Sequence, residues 1–290
     1  MFIGIDGGAT KTVARLEDAA GRCLGQGRGG PANIRLSVED SWRSVRAAVD
    51  EALAQAGLDL NDGRHDYCCG AGLAGTEVAA ARRAFLATPH PFARLVLKSD
   101  AYIACLGAHG GGDGAVIVIG TGVVGYQIEA GREQQVDGWG FPHADEGSGA
   151  WLGLHAVRLT LHWLDGRRGA SPLLAAVLDR CGGDRQALVA WASQATPTRF
   201  AQLAPLVIRH AAEGTPLARA LLRQAAARID KIGAALAARS SDRALPCCLL
   251  GGLAPFVEPW LGRALRARLR PCQADAVHGA VQLIRRELIR

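Results

Sequence analysis

Two glycine turns and one carboxylate are the residues in this chain best suited to phosphate chemistry. The first turn follows a short apolar run, residues 2–5, and reads Asp6-Gly7-Gly8-Ala9-Thr10-Lys11-Thr12. Glycine lets the main chain approach a ligand closely, and its exposed amides can surround phosphate oxygens. Thr10, Lys11 and Thr12 add hydroxyl donors and a positive charge, while Asp6 is suited to holding hydrated Mg²⁺ against the same phosphates. The stretch is not GxxxxGK[ST], because Lys11 follows Thr10, and it is not GxGxxG. Taken alone it reads equally as a tight turn at a strand end.

The second turn, Gly120-Thr121-Gly122, follows the apolar residues 115–119 and leads into another apolar run at 123–128. Strand, glycine turn, strand, turn, strand therefore occurs twice, at a separation of roughly 115 residues, which is the mark of an internal duplication. Asp100 stands where an expected strand (94–98) meets an expected helix. Two roles fit it: an N-cap, a favoured use of aspartate, or a general base at a strand's carboxyl end, where α/β folds bind ligands.

Three further places have polar groups suited to a sugar or nucleoside. Asn33, in a Gly- and Pro-bearing loop, is either a turn residue or an amide for a sugar hydroxyl. Residues 138–149, GWGFPHADEGSG, combine four glycines with Trp139, Phe141, His143, Asp145 and Glu146. Such a sequence makes a shaped loop rather than a core element, and polar groups beside aromatic surface suit a sugar. The bland alternative is a turn capping the helix that follows. His143 has no cysteine or second histidine at metal-ligand spacing, so it reads as a loop or substrate contact. Gly251 and Gly252, directly after an apolar strand, allow the approach of a flat ring such as adenine, or make a plain strand-to-helix turn.

The elements that must carry these residues follow from periodicity and breakers. Strands are expected at 2–5, 12–17, 22–27, 67–73, 94–98, 115–119, 123–128, 132–136 and 246–250. Helices are expected at 39–56, from an N-cap at Thr76 to about 86, after Asp100, at 150–163, at about 257–269 and at 276–286. Residues 150–243 are nearly all helical text, broken at 165–172, 182–184, 197 and 214–216. The chain divides into a first lobe, 1–112, and a second, 113–290, that includes the helical layer.

With 290 residues, 49% hydrophobic and 21% charged, the sequence is that of a globular protein with ample core. No apolar run reaches the roughly 18 residues of a membrane span, and no signal-peptide pattern opens the chain, so a cytoplasmic protein without membrane association is expected. The net charge of +6 comes mainly from arginine scattered through helical text, without the aromatic interleaving of a nucleic-acid surface. Eight cysteines include the pairs Cys68-Cys69 and Cys247-Cys248 but no CxxC, so buried thiols are expected rather than a zinc or redox site.

Taken together and in this order, GIDGGATKT, SDAYIA, IGTGVVG, GWGFPHADEGSGAWLG and LLGGLAPF resemble the sugar-kinase, Hsp70 and actin superfamily. Within it they resemble the N-acetylglucosamine and glucosamine kinase branch of the BadF/BadG/BcrA/BcrD ATPase family. The resemblance implies an α/β fold of duplicated ribonuclease H-like (actin-like ATPase) domains, with a cleft between them and an added helical layer on the second half. It implies an ATP-dependent kinase acting on the 6-hydroxyl of N-acetylglucosamine or, alternatively, glucosamine; a non-catalytic sugar sensor is the other class. By the resemblance, Asp100 is the general base and Asp6 holds Mg²⁺ through water. Gly7, Gly8, Thr10, Lys11, Thr12, Gly120, Thr121 and Gly122 serve the phosphates of ATP, and Gly251 and Gly252 the nucleoside. Asn33, Gly138, Trp139, Asp145 and Glu146 serve the sugar. The expected partners are the amino sugar, ATP and a second copy of the chain.

Overall fold

The structure, a computed structural model, describes residues 1–60, 63–241 and 245–289. It separates into two compact units. One comprises Met1–Gly114, Gln127–Glu133 and Pro271–Arg290; the other comprises Ala115–Tyr126 and Gln134–Arg270.

In the first unit, β1 (Phe2–Gly7), β2 (Thr12–Glu17), β3 (Cys23–Gly29), β4 (Cys68–Leu73) and β5 (Arg94–Ser99) form one sheet of order β3-β2-β1-β4-β5. The β1, β2 and β3 strands meander antiparallel, whereas β1, β4 and β5 run parallel. The parallel register aligns Gly7 with Leu73 and Leu73 with Ser99, so the carboxyl ends of three strands finish level. Helices α1 (Val38–Ala56), α2 (Ala79–Ala87) and α3 (Asp100–Ala108) connect them. The α1 helix lies directly on β3: a Cβ at Gly25, Gly27 or Gly29 would sit 2.0 Å from a helix carbonyl. The alternating glycines are what let backbone meet backbone there.

The sheet of the second half uses β6 (Gly114–Ile119), β7 (Val123–Glu129), β8 (Arg132–Asp137) and β9 (Cys247–Leu250), in the order β8-β7-β6-β9. This repeats β3-β2-β1-β4, with β6 and β9 parallel as β1 and β4 are. The fold is α/β, a duplicated ribonuclease H-like arrangement. The second unit adds a helical layer of α4 (Gly149–Leu164), α5 (Pro172–Arg180), α6 (Arg185–Gln194), α7 (Pro197–Ala201), α8 (Ala204–Ala212) and α9 (Pro216–Arg239). Its core includes Leu152, Leu173, Val177, Leu188, Val207 and Leu222. The expected end of this layer at residue 243 lies outside the described residues.

Several local expectations differ from the structure. The helix expected at 257–269 is instead broken into short turns: α10 (Ala254–Val257), a 3-10 turn at Glu258–Trp260 that contains Pro259, and, after Gly262, α11 (Arg263–Arg266). Thr76 does not cap α2, whose N-cap is Val78 without a side-chain bond.

The closing helix, α12 (Ala276–Ile289), belongs to the first unit although it follows the whole second half in sequence. It crosses β1 so closely that a Cβ on Gly4 would meet the Val277 carbonyl oxygen at 2.4 Å. An ionic cluster clamps it there: the nearly inaccessible Glu17 pairs with Arg285 at 3.3 Å and with His278 at 3.7 Å. The boundary read from the sequence, 113–290 as one lobe, differs for this reason. All eight cysteines are thiols, and among the described residues no helix is long and apolar enough to cross a membrane.

Candidate active site

In the first unit, the end of β1 turns tightly. Gly8 N–H donates to the Lys11 carbonyl at 3.0 Å, Ala32 N–H to Gly8 at 2.9 Å, and Ala74 N–H to Gly7 at 2.9 Å. Thr10 and Lys11 are exposed at the tip. Thr12 is not: it is fully buried and its hydroxyl donates to the Gly30 carbonyl at 2.8 Å. As the first residue of β2 it points inward by strand alternation, so its side chain is committed to the scaffold. The expected phosphate role of the Thr12 hydroxyl is corrected accordingly.

Asp6 is held as an unusual carboxylate. Burial pushes its carboxyl up to about 6; the Asp100 charge adds to the rise, Lys11 opposes it, and Asp275 adds a further push. Asp100 is also raised, mainly by burial and further by Glu77, while the Ala101 N–H, donating to its Oδ1 at 2.8 Å, pulls it back. Ser99, not Asp100, caps α3, accepting from Tyr102 N–H at 3.1 Å. The helix therefore does not need the Asp100 carboxylate as its cap. Two carboxylates of raised pKa with a lysine nearby, at the carboxyl ends of parallel strands, mark a candidate functional site by the usual rules for α/β folds.

Asn33 sits beside this group. Its backbone bridges to Ala74, and its Oδ1 accepts from Arg35 N–H at 3.1 Å. With the amide oxygen committed, the side chain presents its NH₂ donors. Two carboxylates absent from the sequence reading also act here. Asp275, just before α12, accepts from His278 N–H at 3.0 Å, and its charge helps to raise Asp6 across a gap in sequence that no local pattern reveals. Glu77, in the turn after β4, adds its charge to the rise of Asp100.

The second unit gathers a different set. Gly120 N–H donates to Gly122, Gly149 N–H to Gly120 at 2.9 Å, and Ala150 N–H to Thr121 at 3.0 Å. The N-terminus of α4, capped by Ser148, is thereby tied to the glycine turn, and such an end favours anions. Thr121 is exposed. Gly251, at φ +90°, passes so close to β6 that a Cβ would lie 2.3 Å from the Ile119 carbonyl oxygen, and Leu253 N–H donates to that oxygen at 3.1 Å. Gly252 faces open space. The Gly251-Gly252 pair and the Gly120-Thr121-Gly122 turn are thus neighbours.

The loop after β8 divides by role. Trp139 is 70% exposed, and Gly138 and His143 are exposed. Asp145 is buried, in a left-handed conformation at φ +65°. Its Oδ1 accepts from Val123 N–H at 3.1 Å, and its own N–H donates to Asp137 Oδ1 at 2.9 Å. Burial raises its carboxyl, with the Asp137 charge contributing. Asp137, another residue the sequence reading passed over, also takes the Gly138 N–H at 2.8 Å and organises the loop. Glu146 is exposed and pairs with Arg228 at 3.3 Å.

The chain belongs to the BadF/BadG/BcrA/BcrD ATPase family, a model of which matches residues 3–258. It is 39% identical over 280 residues to glucosamine kinase GspK of Vibrio cholerae, covering 97% of this chain and 94% of the relative. An N-acetylmuramic acid/N-acetylglucosamine kinase of Clostridium acetobutylicum is 30% identical over 180 residues, covering 61% of this chain and 58% of the relative. A solved structure from Chromobacterium violaceum, provisionally named an N-acetylglucosamine kinase, superposes with a TM-score of 0.88 at 41% identity, over 98% of each chain.

Proposed function

We propose that this protein is an ATP-dependent amino-sugar kinase that phosphorylates the 6-hydroxyl of its substrate. The observation that carries the reading is Asp100, a half-buried carboxylate of raised pKa at the end of β5, with helix capping left to Ser99, while Asn33 bridges to Ala74 at the end of the neighbouring β4. Asp100 takes the proton of the sugar hydroxyl as that oxygen attacks the γ-phosphate, and its raised pKa makes it a better base than a solvated aspartate. The Asn33 NH₂ donates to a sugar oxygen and fixes the acceptor. Phosphoryl transfer is mostly positioning and charge stabilisation. Here the amides of Gly7 and Gly8, the Thr10 hydroxyl and the Lys11 ammonium take phosphate oxygens. Gly120, Thr121 and Gly122 serve the same nucleotide, whose nucleoside lies along Gly251 and Gly252. Gly138, Trp139, Asp145 and Glu146 line the sugar side in this reading.

Asp6 suits Mg²⁺. Among the described residues no cluster of three or more metal-ligating side chains occurs, and Mg²⁺ on a nucleotide needs only one or two carboxylates besides the phosphates. Burial, with the charges of Asp100 and Asp275 added, disfavours the Asp6 carboxylate, and a dication beside it would offset that. When bound, the ion would neutralise charge on the phosphates; Asp6 would hold it through water.

The acceptor is N-acetylglucosamine or glucosamine. The sequence reading put the N-acetyl sugar first; the relation to a glucosamine kinase over nearly the whole chain supports the free amine. A homodimer in the cytoplasm completes the proposal. The test is ATP turnover with N-acetylglucosamine, glucosamine, N-acetylmannosamine, glucose and no sugar. Strong stimulation by one amino sugar is expected. Sugar binding without turnover would replace the kinase reading with that of a sensor.

A further inference from the structure

We infer that Lys98 is a positioning residue for Asp100: its ammonium group, held between the Glu133 carboxylate on β8 and the Tyr102 ring on α3, fixes the corner at which β5 becomes α3. The inference rests on the kinase reading above and deepens it by naming what holds the base in place.

The corner needs support from outside the sheet. β5 is an edge strand, paired with β4 alone, so no strand lies along its other side. The ladder ends with Lys98 opposite Gly72 and Ser99 opposite Leu73, and Asp100, the next residue, already begins α3. The base therefore stands one residue past the last strand pairing. A Cβ at Gly72 would meet the Ile103 side chain at 2.3 Å, so α3 covers the face toward which Gly72 and its partner Lys98 point.

On that face Lys98 makes two contacts. Its Nζ pairs with Glu133 Oε1 at 2.5 Å and lies 4.8 Å from the centroid of the Tyr102 ring. A charge-assisted bond and a cation over an aromatic face are each attractive and each directional. Tyr102 belongs to the first turn of α3, and its N–H is the one that Ser99 Oγ accepts at 3.1 Å. The adjacent residues Lys98 and Ser99 thus hold the same residue of α3, one by its ring and the other by its backbone. Asp100 lies between them and Tyr102 in the chain, with Oδ1 set by Ala101 N–H at 2.8 Å. A shift of Tyr102 moves that turn, and the carboxylate moves with it. Glu133 supplies the outer anchor from within the same compact unit. It stands beside a hairpin turn that is itself fastened, since Ala130 N–H donates to Asp113 Oδ2 at 2.8 Å. The Lys98 and Glu133 side chains are 31% and 36% exposed. A pair so open to water adds little to stability; its use is geometric.

The experiment measures kcat and both KM values for Lys98→Met, Lys98→Arg and Glu133→Gln, and for Lys98→Met and Glu133→Gln each combined with Asp100→Asn. Misplacing a reacting group by about 1 Å costs roughly 10²-fold in rate. A smaller shift is expected in Lys98→Met, with kcat down about tenfold and KM for sugar and ATP unchanged. Lys98→Arg should recover most of the loss, because a guanidinium also pairs with a carboxylate and stacks on a ring. In the Asp100→Asn background neither substitution should lower kcat further, because the base whose position they disturb is gone. A surface staple without this role would lower the denaturation midpoint and leave kcat of the folded protein intact. That result, a rise in KM alone, or a full further loss in the Asp100→Asn background overturns the inference and leaves the kinase reading standing. If Lys98→Met does not fold, Glu133→Gln with and without Asp100→Asn decides by the same criterion. Wild-type turnover by Asp100→Asn alone, or no turnover with any sugar, overturns the kinase reading's base or the reading itself, and the inference with it.

Discussion

The two glycine turns sit at equivalent places in the duplicated sheets, after β1 and after β6, yet they are equipped differently. The first keeps charge at hand: Lys11 at its tip, Asp6 at its base, and Asp100, Asp275 and Glu77 in the surroundings. The second, Gly120-Thr121-Gly122, carries no ionisable residue of its own. It is tied by backbone hydrogen bonds to the start of α4 and braced by Asp145 through Val123. On the function proposed above, one half of the duplication specialises in proton and metal chemistry, and the other in neutral amide donors and a helix dipole. Duplication supplies two cradles of one shape, and substitution of a few side chains divides the labour.

If that division holds, the largest effect comes from the charged half. Asp100→Asn preserves shape and the bond from Ala101 N–H but cannot accept the proton. A drop in kcat of about 10²- to 10⁴-fold is expected, with KM for ATP little altered. A variant that turns over at the wild-type rate removes Asp100 from the role of base.

The raised carboxyl of Asp6 makes a second, smaller prediction with two signs. A carboxyl raised in the folded state contributes stability below its unfolded value near 3.8, and loses it as pH rises through about 6. The ligand-free protein therefore carries a strained charge at pH 8, worth at most about 3 kcal/mol for a shift of this size. Asp6→Asn should raise the denaturation midpoint of the ligand-free protein at pH 8 and not at pH 4, while abolishing Mg²⁺-dependent turnover. In the wild type, kcat/KM should fall as pH drops below about 6. Equal stability of the two proteins at pH 8 would mean that burial does not strain Asp6.

How much of this was legible in the sequence follows the range of the interactions. The two strand–turn–strand units and the strand-end position of Asp100 are local patterns, and each is present. The choice between base and cap for Asp100 was open because aspartate and serine both cap helices; Ser99 Oγ accepting from Tyr102 N–H shows that the cap is Ser99. Thr12 looked like Thr10 because both flank Lys11, and only the pairing of Gly7 with Thr12 turns one hydroxyl inward. Asp275 and α12 were assigned to the wrong half since nothing local records that a terminal helix will pack on β1. Asp137 was missed as an ordinary strand end, although a non-glycine residue at φ +62° that accepts two loop amides governs the loop after it.

The finest test of the contrast is Asp145, which the sequence resemblance gives to the sugar and the hydrogen bonds give to the second turn. Its carboxylate lies so near Gly122 that a Cβ there would be 3.0 Å from either oxygen. Asp145→Asn keeps an acceptor for Val123 N–H and tolerates the left-handed backbone, so its stability should stay within about 1 kcal/mol of wild type. Asp145→Ala leaves that buried N–H without a partner and should cost about 1–3 kcal/mol. If the carboxylate is a brace, Asp145→Ala raises KM for ATP more than KM for the sugar, and Asp145→Asn is nearly silent for both. If it binds the sugar as an anion, Asp145→Asn alone raises KM for the sugar without touching ATP. That result would return charged chemistry to the second half and end the division drawn between the two turns.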